Sequence, residues 1–419
     1  MNTPSPRSGG RLCLLFILLG AAAGCSWVKP RPQGPGAEVP PRFRQLYSEL
    51  DLELAGAEKS ARAQKGPLHA CPAMAPALFP ASSYFGPAEP GTPRWEELMT
   101  ELDGFQALGA GAVSIMISFP SLTPEVKDPE LLLKFYAAMA AEVRARGMKL
   151  LVEHFVYPPS APTKEGRFVA AIKTLPDPAG TFLDLKKKEI LLILSRIKPD
   201  YLSVITEPET YDRFLGISIP AEDHVRWLNG LIGGLPGAGG KGGTKLGAGA
   251  GVWESGLYVP AFAKVTGLDY IDIHFYPLKL GSEELFPKFL DLIARVKAED
   301  PAKELVVSET WLYKHSADEP KGAFSTEAYG RNAYDFWAPL DARFLELMNL
   351  AGEKNGISLV APYFPQFFFA ARQFEPAVPQ PAWPASMTEE WRSAKDLMSG
   401  MAVTPAGKAF KEINRRCTD

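Results

Sequence analysis

From Leu68 onward two hydrophobic rhythms alternate along the chain. Short runs rich in Val, Ile and Leu, bounded by Gly, Pro or Asp, have the build of buried strands. They place strands at Ala75–Phe79, Ala112–Ser118, Lys149–Phe155, Tyr201–Thr206, Thr244–Ala248, Tyr270–Phe275, Glu304–Ser308 and Ile357–Pro362. Between them, apolar residues recur every three or four positions, which predicts helices. These fall at Arg94–Leu108, Pro129–Arg146, Leu183–Arg196, Ala221–Leu231, Tyr258–Val265, Glu283–Val296 and Tyr334–Leu350. Two more, Met387–Met398 and Pro405–Arg415, follow the last strand. Thr404-Pro405 is a good helix start, a hydroxyl cap followed by proline at the first helical position. Helical spacing also marks Phe43 to Ala63, with Phe43, Leu46, Leu50, Leu52 and Leu54 near one side.

Eight strands, each followed by helix, predict an α/β chain of the (β/α)8 TIM-barrel type, which needs about 250 residues plus insertions. The 419 residues accommodate it. A doubly wound sheet is the competing fold and favours a Gly-rich phosphate turn after an early strand. The glycine cluster from Gly233 to Gly251 sits late and lacks that fingerprint. The first strand and the fifth, whose KLGAGAG also reads as loop, are the least marked of the eight.

The strand ends carry the chemistry. In YLSVITEPET, Tyr201 to Thr210, an apolar run finishes in Glu-Pro-Glu. Buried carboxylates are expensive unless paired or solvated, so the run either enters a solvated loop or delivers a carboxylate to a site. With strands as period-two objects, Ser203, Ile205 and Glu207 share a face of the fourth strand. Leu305, Val307 and Glu309 do so in the seventh, Tyr270, Asp272, His274 and Tyr276 in the sixth, and Leu150, Val152 and His154 in the third. If these faces point inward, polar groups gather at the C-terminal end of the barrel, where enzymes of this fold place their chemistry. Glu207 and Glu309 would lie across the mouth, as the acid and the partner carboxylate of glycoside hydrolysis must. Sequence sets no distance, so retaining and inverting geometries both stay open. Glu209, one strand period further into the loop, is the nearest rival of Glu207. Asp272 reads as a partner of one histidine or as a structural ion pair, and Asp103 and Asp341 as surface helix charges. Trp311, Tyr363 and Trp253 offer ring faces on which a sugar could stack, and Glu254 follows Trp253 in a loop.

In this order the motifs resemble those of the large clan of (β/α)8 retaining glycosidases that includes many cellulases, mannanases and galactanases. Thr206-Glu207-Pro208 is similar to the clan's Asn-Glu-Pro after strand four, and Ser308-Glu309-Thr310-Trp311 to its nucleophile segment after strand seven. His274 to Pro277, HFYP, resembles its strand-six motif, and His154 falls near the strand-three histidine of several of its families. The resemblance spans roughly residues 70 to 416. It implies a retaining glycoside hydrolase acting on an oligo- or polysaccharide without a cofactor. Glu207 would be the acid/base and Glu309 the nucleophile, with His154, Thr206, His274, Tyr276, Trp311 and Tyr363 binding substrate. Thr206 stands where the clan has an Asn that bonds the sugar's 2-hydroxyl. That departure keeps open a lipid-anchored carbohydrate-binding or assembly protein on a catalytically degraded barrel. A metal-assisted barrel hydrolase is a third reading; five histidines without a close ligand-spaced set argue against a catalytic metal.

Charge and cysteine usage then narrow the setting. With 48 acidic and 45 basic side chains, net charge −3, nothing suggests a nucleic-acid surface. After Arg7 and Arg11, LCLLFILLGAAAG (Leu12 to Gly24) has the build of a secretory signal and is short for a membrane span. The stretch AAGC, Ala22 to Cys25, resembles the bacterial lipoprotein cleavage box, with Ala22 where Leu is usual. The expected organisation is a signal peptide over 1–24, a Pro- and Gly-rich tether over 25–42, an N-terminal helix over 43–67 and the barrel over 68–419. Cys25 would carry a lipid anchor to the membrane; a periplasmic or secreted product is the alternative. Removal of Cys13 and lipidation of Cys25 leave Cys71 and Cys417. An oxidising compartment permits a disulfide between them, since the first and last elements of a closed barrel are neighbours; two buried free thiols are the other reading.

Overall fold

The structure is a computed structural model that describes residues 38–235, 243–276, 278–280, 283–316, 330–376, 398 and 402–418. Eight strands form its centre: β1 Ala73–Met74, β2 Ala112–Met116, β3 Lys149–Glu153, β4 Tyr201–Ile205, β5 Lys245–Gly251, β6 Tyr270–His274, β7 Glu304–Thr310 and β8 Ile357–Pro362. All pair in parallel, in the order β1-β8-β7-β6-β5-β4-β3-β2. The ring closes between β1 and β2 through a parallel bridge, Ala77 to Ser114. There the Leu78 N–H donates to the Ser114 carbonyl at 2.7 Å and the Ser114 N–H to the Pro76 carbonyl at 3.1 Å. This is the (β/α)8 barrel that the alternating rhythms predict. The first strand is shorter and lies earlier than its expected span, Ala75–Phe79. Pro80 cannot continue a ladder, and Phe79–Ala81 forms a 3-10 turn.

The helices are α1 Arg44–Ala63, α2 Pro93–Ala107, α3 Pro129–Ala145, α4 Lys164–Ile172, α5 Pro178–Leu192, α6 Pro208–Leu215, α7 Ala221–Gly233, α8 Tyr258–Ala263, α9 Leu285–Glu299, α10 Ala338–Asn355 and α11 Pro405–Thr418. Side chains of Thr92, Asp128, Thr163 and Asp177 accept the first free N–H groups of α2, α3, α4 and α5, as helix starts require. The hydrophobic rhythm does not mark α4 and α6, which are too short to establish a period. The helix expected at Met387–Met398 falls almost wholly outside the described residues. Helix α1 turns Leu46, Leu50, Leu54, Ala57 and Ala61 inward but leaves Leu52 exposed. Arg343 of α10 pairs with Asp51 and Glu58 of α1, and Tyr47 stacks on Trp337.

A disulfide joins Cys71, just before β1, to Cys417 in α11, with the Cα atoms 5.5 Å apart. Among the described residues no helix is long and apolar enough to cross a membrane. Cys25, the expected signal segment and the expected tether up to residue 37 lie outside the described residues.

Two apolar clusters reveal which way each strand faces. Ala75, Ala112, Leu151, Tyr201, Tyr270, Val306, Leu359 and Ala361 fill the barrel interior. Leu150, Val152, Leu202, Ile271, Ile273, Leu305 and Val307 belong to the layer between strands and helices. Strand β6 therefore has the expected facing. Strand β3 has the opposite one: Leu151 and Glu153 point inward, and Leu150, Val152 and His154 outward. In β7, Leu305 and Val307 also face the helices, contrary to expectation. Glu309 still reaches the mouth because β7 carries an extra residue there. Val360 pairs with Val307 but Pro362 with Thr310, a bulge that resets the alternation. Strand β4 has a similar irregularity, with Ser203 opposite Gly247 and Ile205 opposite Ala248.

The glycines of β5 now have a cause. A Cβ on Gly247 would lie 1.9 Å from the Tyr270 ring, and one on Gly249 would lie 1.6 Å from the Asp272 carbonyl oxygen. Ala248 and Ala250 pack outward in the helix layer. KLGAGAG is thus a period-two strand whose inward positions leave room for the residues of β6.

Candidate active site

At the C-terminal mouth of the barrel, Glu207 follows β4 as the N-cap residue of α6, and Glu309 sits in the bulged end of β7. Both are almost closed off, at 4% and 5% exposure. His274, the last residue of β6, lies between them. Its Nδ1 is 2.9 Å from Glu207 Oε1 and 3.6 Å from Glu309 Oε2. The hydroxyl of Tyr276 donates to Glu309 Oε2, and the Tyr276 ring is stacked on Tyr313, with centroids 4.7 Å apart.

Beneath the carboxylates runs a buried hydrogen-bond chain whose proton positions can be followed. Asp272 Oδ2 accepts from Ser203 Oγ at 2.6 Å and from Ser308 Oγ at 2.7 Å, while Oδ1 accepts from the Ser308 N–H at 3.1 Å. The single hydroxyl proton of Ser308 is therefore committed to Asp272. Ser308 Oγ then accepts at 2.9 Å from His274 Nε2, which carries a proton. A charged imidazole also carries a proton on Nδ1, which it donates to Glu207 Oε1 at 2.9 Å. Although burial works against a charged imidazole, Glu309, Glu153, Glu207 and Asp272 together hold His274 well above its ordinary pKa. Burial likewise holds Glu309 well above the carboxylate range; Glu153 and Glu207 add to this, and His274 and the Tyr276 hydroxyl oppose it.

Glu153 is the residue that the sequence pattern missed. It extends from β3 toward His274 Nε2, 3.3 Å from Oε2, while its Oε1 accepts from Ser114 Oγ at 2.9 Å. It is 2% exposed. A charged residue ending the apolar run KLLVE is the same anomaly that drew attention to Glu207. Choosing the other facing for β3 would have found it. One ligand atom each from Glu153, His274 and Glu309 lie within 4.8 Å of one another, so these three could together hold a cation. In the structure both His274 nitrogens are already hydrogen-bonded to Glu207 and Ser308.

The second glutamate of TEPET has a different task. Glu254, after β5, accepts from the N–H groups of Glu209 and Thr210 through Oε1 and from that of Gly251 through Oε2. Glu209 Oε1 in turn accepts from the Ser255 N–H at 2.8 Å. The two carboxylates clasp the loop after β4 to the loop after β5, holding the start of α6 and with it Glu207. The β5 loop also carries Trp253, whose ring centroid is 5.7 Å from that of Tyr276.

The other expected site residues are distributed unequally. Tyr363 lies edge-on to Tyr276, with centroids 5.9 Å apart, and so belongs to the same cluster. Trp311 is 1% exposed and packs among Phe364, Phe367 and Phe368. Thr206 is fully buried; its N–H and hydroxyl both meet the Tyr211 hydroxyl of α6, at 3.0 and 2.8 Å. His154 is behind β3, where Nε2 meets Glu189 Oε2 and Nδ1 meets Lys186 Nζ, each at 2.9 Å. The facing of β3 thus takes His154 away from the mouth, while Trp311 and Thr206 are engaged by these buried partners. Asp103 pairs with Arg146 at the surface, as expected. Asp341 instead is buried against Lys314, and burial pushes its pKa up to about 6.

No family model matches the chain, nor does any curated protein. Among solved structures, a GH5_18 protein from Bifidobacterium longum subsp. longum in complex with Manb1-4GlcNAc has a TM-score of 0.52 at 13% identity, over 82% of this chain and 78% of that one. A glycoside hydrolase family 5 mannosidase from Rhizomucor miehei has a TM-score of 0.46 at 12% identity, over 84% and 96%. A family 1 b-glucosidase from Thermotoga maritima has 0.43 at 12%, over 72% and 89%. At 13% identity the likeness to the first of these speaks for the fold alone.

Proposed function

We propose that this protein is a retaining glycoside hydrolase acting on an oligo- or polysaccharide, with Glu207 as acid/base and Glu309 as nucleophile. One observation carries the reading: a single imidazole nitrogen, His274 Nδ1, lies 2.9 Å from Glu207 and 3.6 Å from Glu309, so the two oxygens are at most about 6.5 Å apart. Retaining enzymes hold their carboxyls about 5–5.5 Å apart, whereas inverting ones leave about 6.5–9.5 Å for a water between them. In the first step Glu207 gives its proton to the glycosidic oxygen as that bond to the anomeric carbon breaks. Glu309 forms the new bond to the same carbon. In the second step Glu207 takes a proton from water, whose oxygen displaces Glu309 and restores both groups. Tyr276 fixes the attacking carboxylate, and Trp253 and Tyr363 stand beside Tyr276 as the aromatic wall. The degraded-barrel reading rested on Thr206. That residue is turned toward Tyr211, and both carboxylates, His274 and Tyr276 are in place at the mouth.

The test is a pair of variants. Glu309→Gln forms no glycosyl-enzyme. Glu207→Ala keeps hydrolysing aryl glycosides with good leaving groups, and azide accelerates it by attacking the trapped sugar without base help. The expected loss for Glu207→Ala on ordinary substrates is about 10²- to 10⁴-fold. Unimpaired hydrolysis by folded Glu309→Gln, or a product of inverted anomeric configuration, overturns the assignment.

The setting is proposed on the same footing. A disulfide between Cys71 and Cys417 supports an oxidising compartment, and with it export by residues 1–24, a tether over 25–42, a helical segment over 43–67 and the barrel over 68–419. Cys25 is the proposed lipid attachment point. The intact mass of the mature chain checks it: a lipidated chain starting at Cys25 is expected, and an unmodified one rules the anchor out.

A further inference from the structure

Two carboxylates account for double displacement, yet this site contains a third. Glu153 comes from β3 and reaches the opposite side of the same imidazole that touches Glu207 and Glu309. The groups facing His274 are Glu153 from β3, Glu207 from β4, Glu309 from β7, and Asp272 (3.9 Å) from its own strand. Strand β5 presents only Gly251 opposite it, and Ser308 supplies a hydroxyl. Among the described residues no lysine or arginine forms an ion pair with any of these four carboxylates. Among the described residues the imidazole is thus the one cationic group placed among them; its Nδ1–H points at Glu207 Oε1, and the proton that the acid delivers is Glu207's own.

We propose that Glu153 is a positioning residue that acts through His274, holding positive charge on the imidazole so that Glu207 can part with its proton and recover it within one catalytic cycle. The geometry favours this over a packing role. An inward carboxylate at 2% exposure is costly unless it meets a partner. Glu153 Oε1 accepts from the Ser114 hydroxyl that orients it. Among the described residues Oε2 receives no hydrogen bond and faces the ring nitrogen that points away from Glu207, 3.3 Å off, so the charge of the imidazole is what compensates it. When Glu207 has given up its proton, a cationic His274 donates to the new carboxylate and stabilises it. When water arrives, that carboxylate stays correctly aimed as a base. The charge of Glu153 also raises Glu309, so one residue biases both halves of the reaction. The proposal rests on the glycosidase reading for its consequence and on the ring contact alone for its mechanism.

The experiment separates the two. In protein labelled with 15N-histidine, the His274 signal, identified by its loss in His274→Asn, is followed against pH in wild type and in Glu153→Gln. Loss of the anion lowers the pH at which the imidazole gives up its charge by about one pH unit or more. In parallel, the pH profile of kcat/KM moves as a whole to lower pH. The acidic limb falls because Glu309 ionises more readily, and the basic limb falls because the imidazole loses its charge at lower pH. Glu153→Asp, which keeps the charge, restores the wild-type profile in part. Should Glu153→Gln not fold, Ser114→Ala replaces it: the hydroxyl that favours ionised Glu153 is lost, and the His274 titration moves the same way by less. An unchanged His274 titration in folded Glu153→Gln overturns the proposal whatever the activity. If the titration moves but neither protein hydrolyses any glycoside, the charge coupling stands and the glycosidase reading falls.

Discussion

Two histidines of this chain, His274 and His154, are both fully buried, both touch carboxylates, and both end or immediately follow a barrel strand. Their electrostatic fates are opposite. His274 is surrounded by acidic groups from several strands and is held well above its ordinary pKa against the cost of burial. His154 is held well below it by burial, and the neighbouring Lys186 ammonium adds to that. Lys186 Nζ faces Nδ1 of His154, so Nε2 carries the proton and donates to Glu189, which also accepts from the Leu122 N–H and the Thr123 hydroxyl. Burial lowers Lys186 to about 7 and raises Glu189 to about 8. The difference comes from which side of the strand the imidazole leaves. Inside the mouth, neighbouring strands contribute their terminal carboxylates to one space. Behind β3, helix α5 contributes both a base and an acid, and the group closes on itself as a strut between helix and strand.

The comparison breaks most sharply by substituting each histidine in turn. His274→Asn is expected to lose about 10²- to 10³-fold in kcat/KM, the scale of losing one preorganised polar group at the reacting centre. His154→Asn takes from Glu189 and Lys186 their common partner, a neutral imidazole, and a buried polar group left without its hydrogen bond costs about 1–3 kcal/mol. Urea unfolding reads that loss, while kcat per folded molecule stays close to wild type. If His154→Asn instead removes activity at unchanged stability, the two clusters do not differ in the way described.

A smaller effect sharpens the picture of the mouth alone. In Tyr276→Phe, Glu309 loses the hydroxyl that favours its ionised form. Turnover drops about tenfold, the worth of one hydrogen bond to a charged group. The sign in pH is specific. Glu309 attacks only when ionised, its pKa lies above the ordinary value, and activity is lost as pH falls through it. Removing the donor raises that pKa further, so the acidic limb of kcat/KM moves to higher pH. This is opposite to the direction expected for Glu153→Gln, so the two variants distinguish a donor on the nucleophile from an anion beside it.

Much of this site was legible in the chain because polarity at the end of an apolar strand is anomalous wherever it occurs. Glu207, Glu309, His274 and Tyr276 stood out on that ground, and the structure gathers all four. The facing of β3 was not legible, because KLLVEHF is apolar at both parities and the period-two pattern is silent when strands are buried on both faces. Thus Glu153 was overlooked, and His154 was expected at the mouth. Nor did local pattern show the bulge in β7, since an extra residue is visible only against the partner strand.

By itself the sequence determined the succession of strands and helices, the residues able to carry acid–base chemistry, and a near-neutral charge that gives no sign of a nucleic-acid surface. These depend on local composition and on periodicities within one segment. The tertiary structure alone decided which carboxylates meet, that Glu209 and Glu254 clasp two loops, and that Asp341 is buried beside Lys314. It also decided why β5 alternates glycine, and that one histidine joins the mouth while the other braces a helix. Those outcomes depend on register and on contacts between residues far apart in the chain. A one-residue shift of facing sends a side chain to the other side of the barrel wall, and no single segment records which side that is.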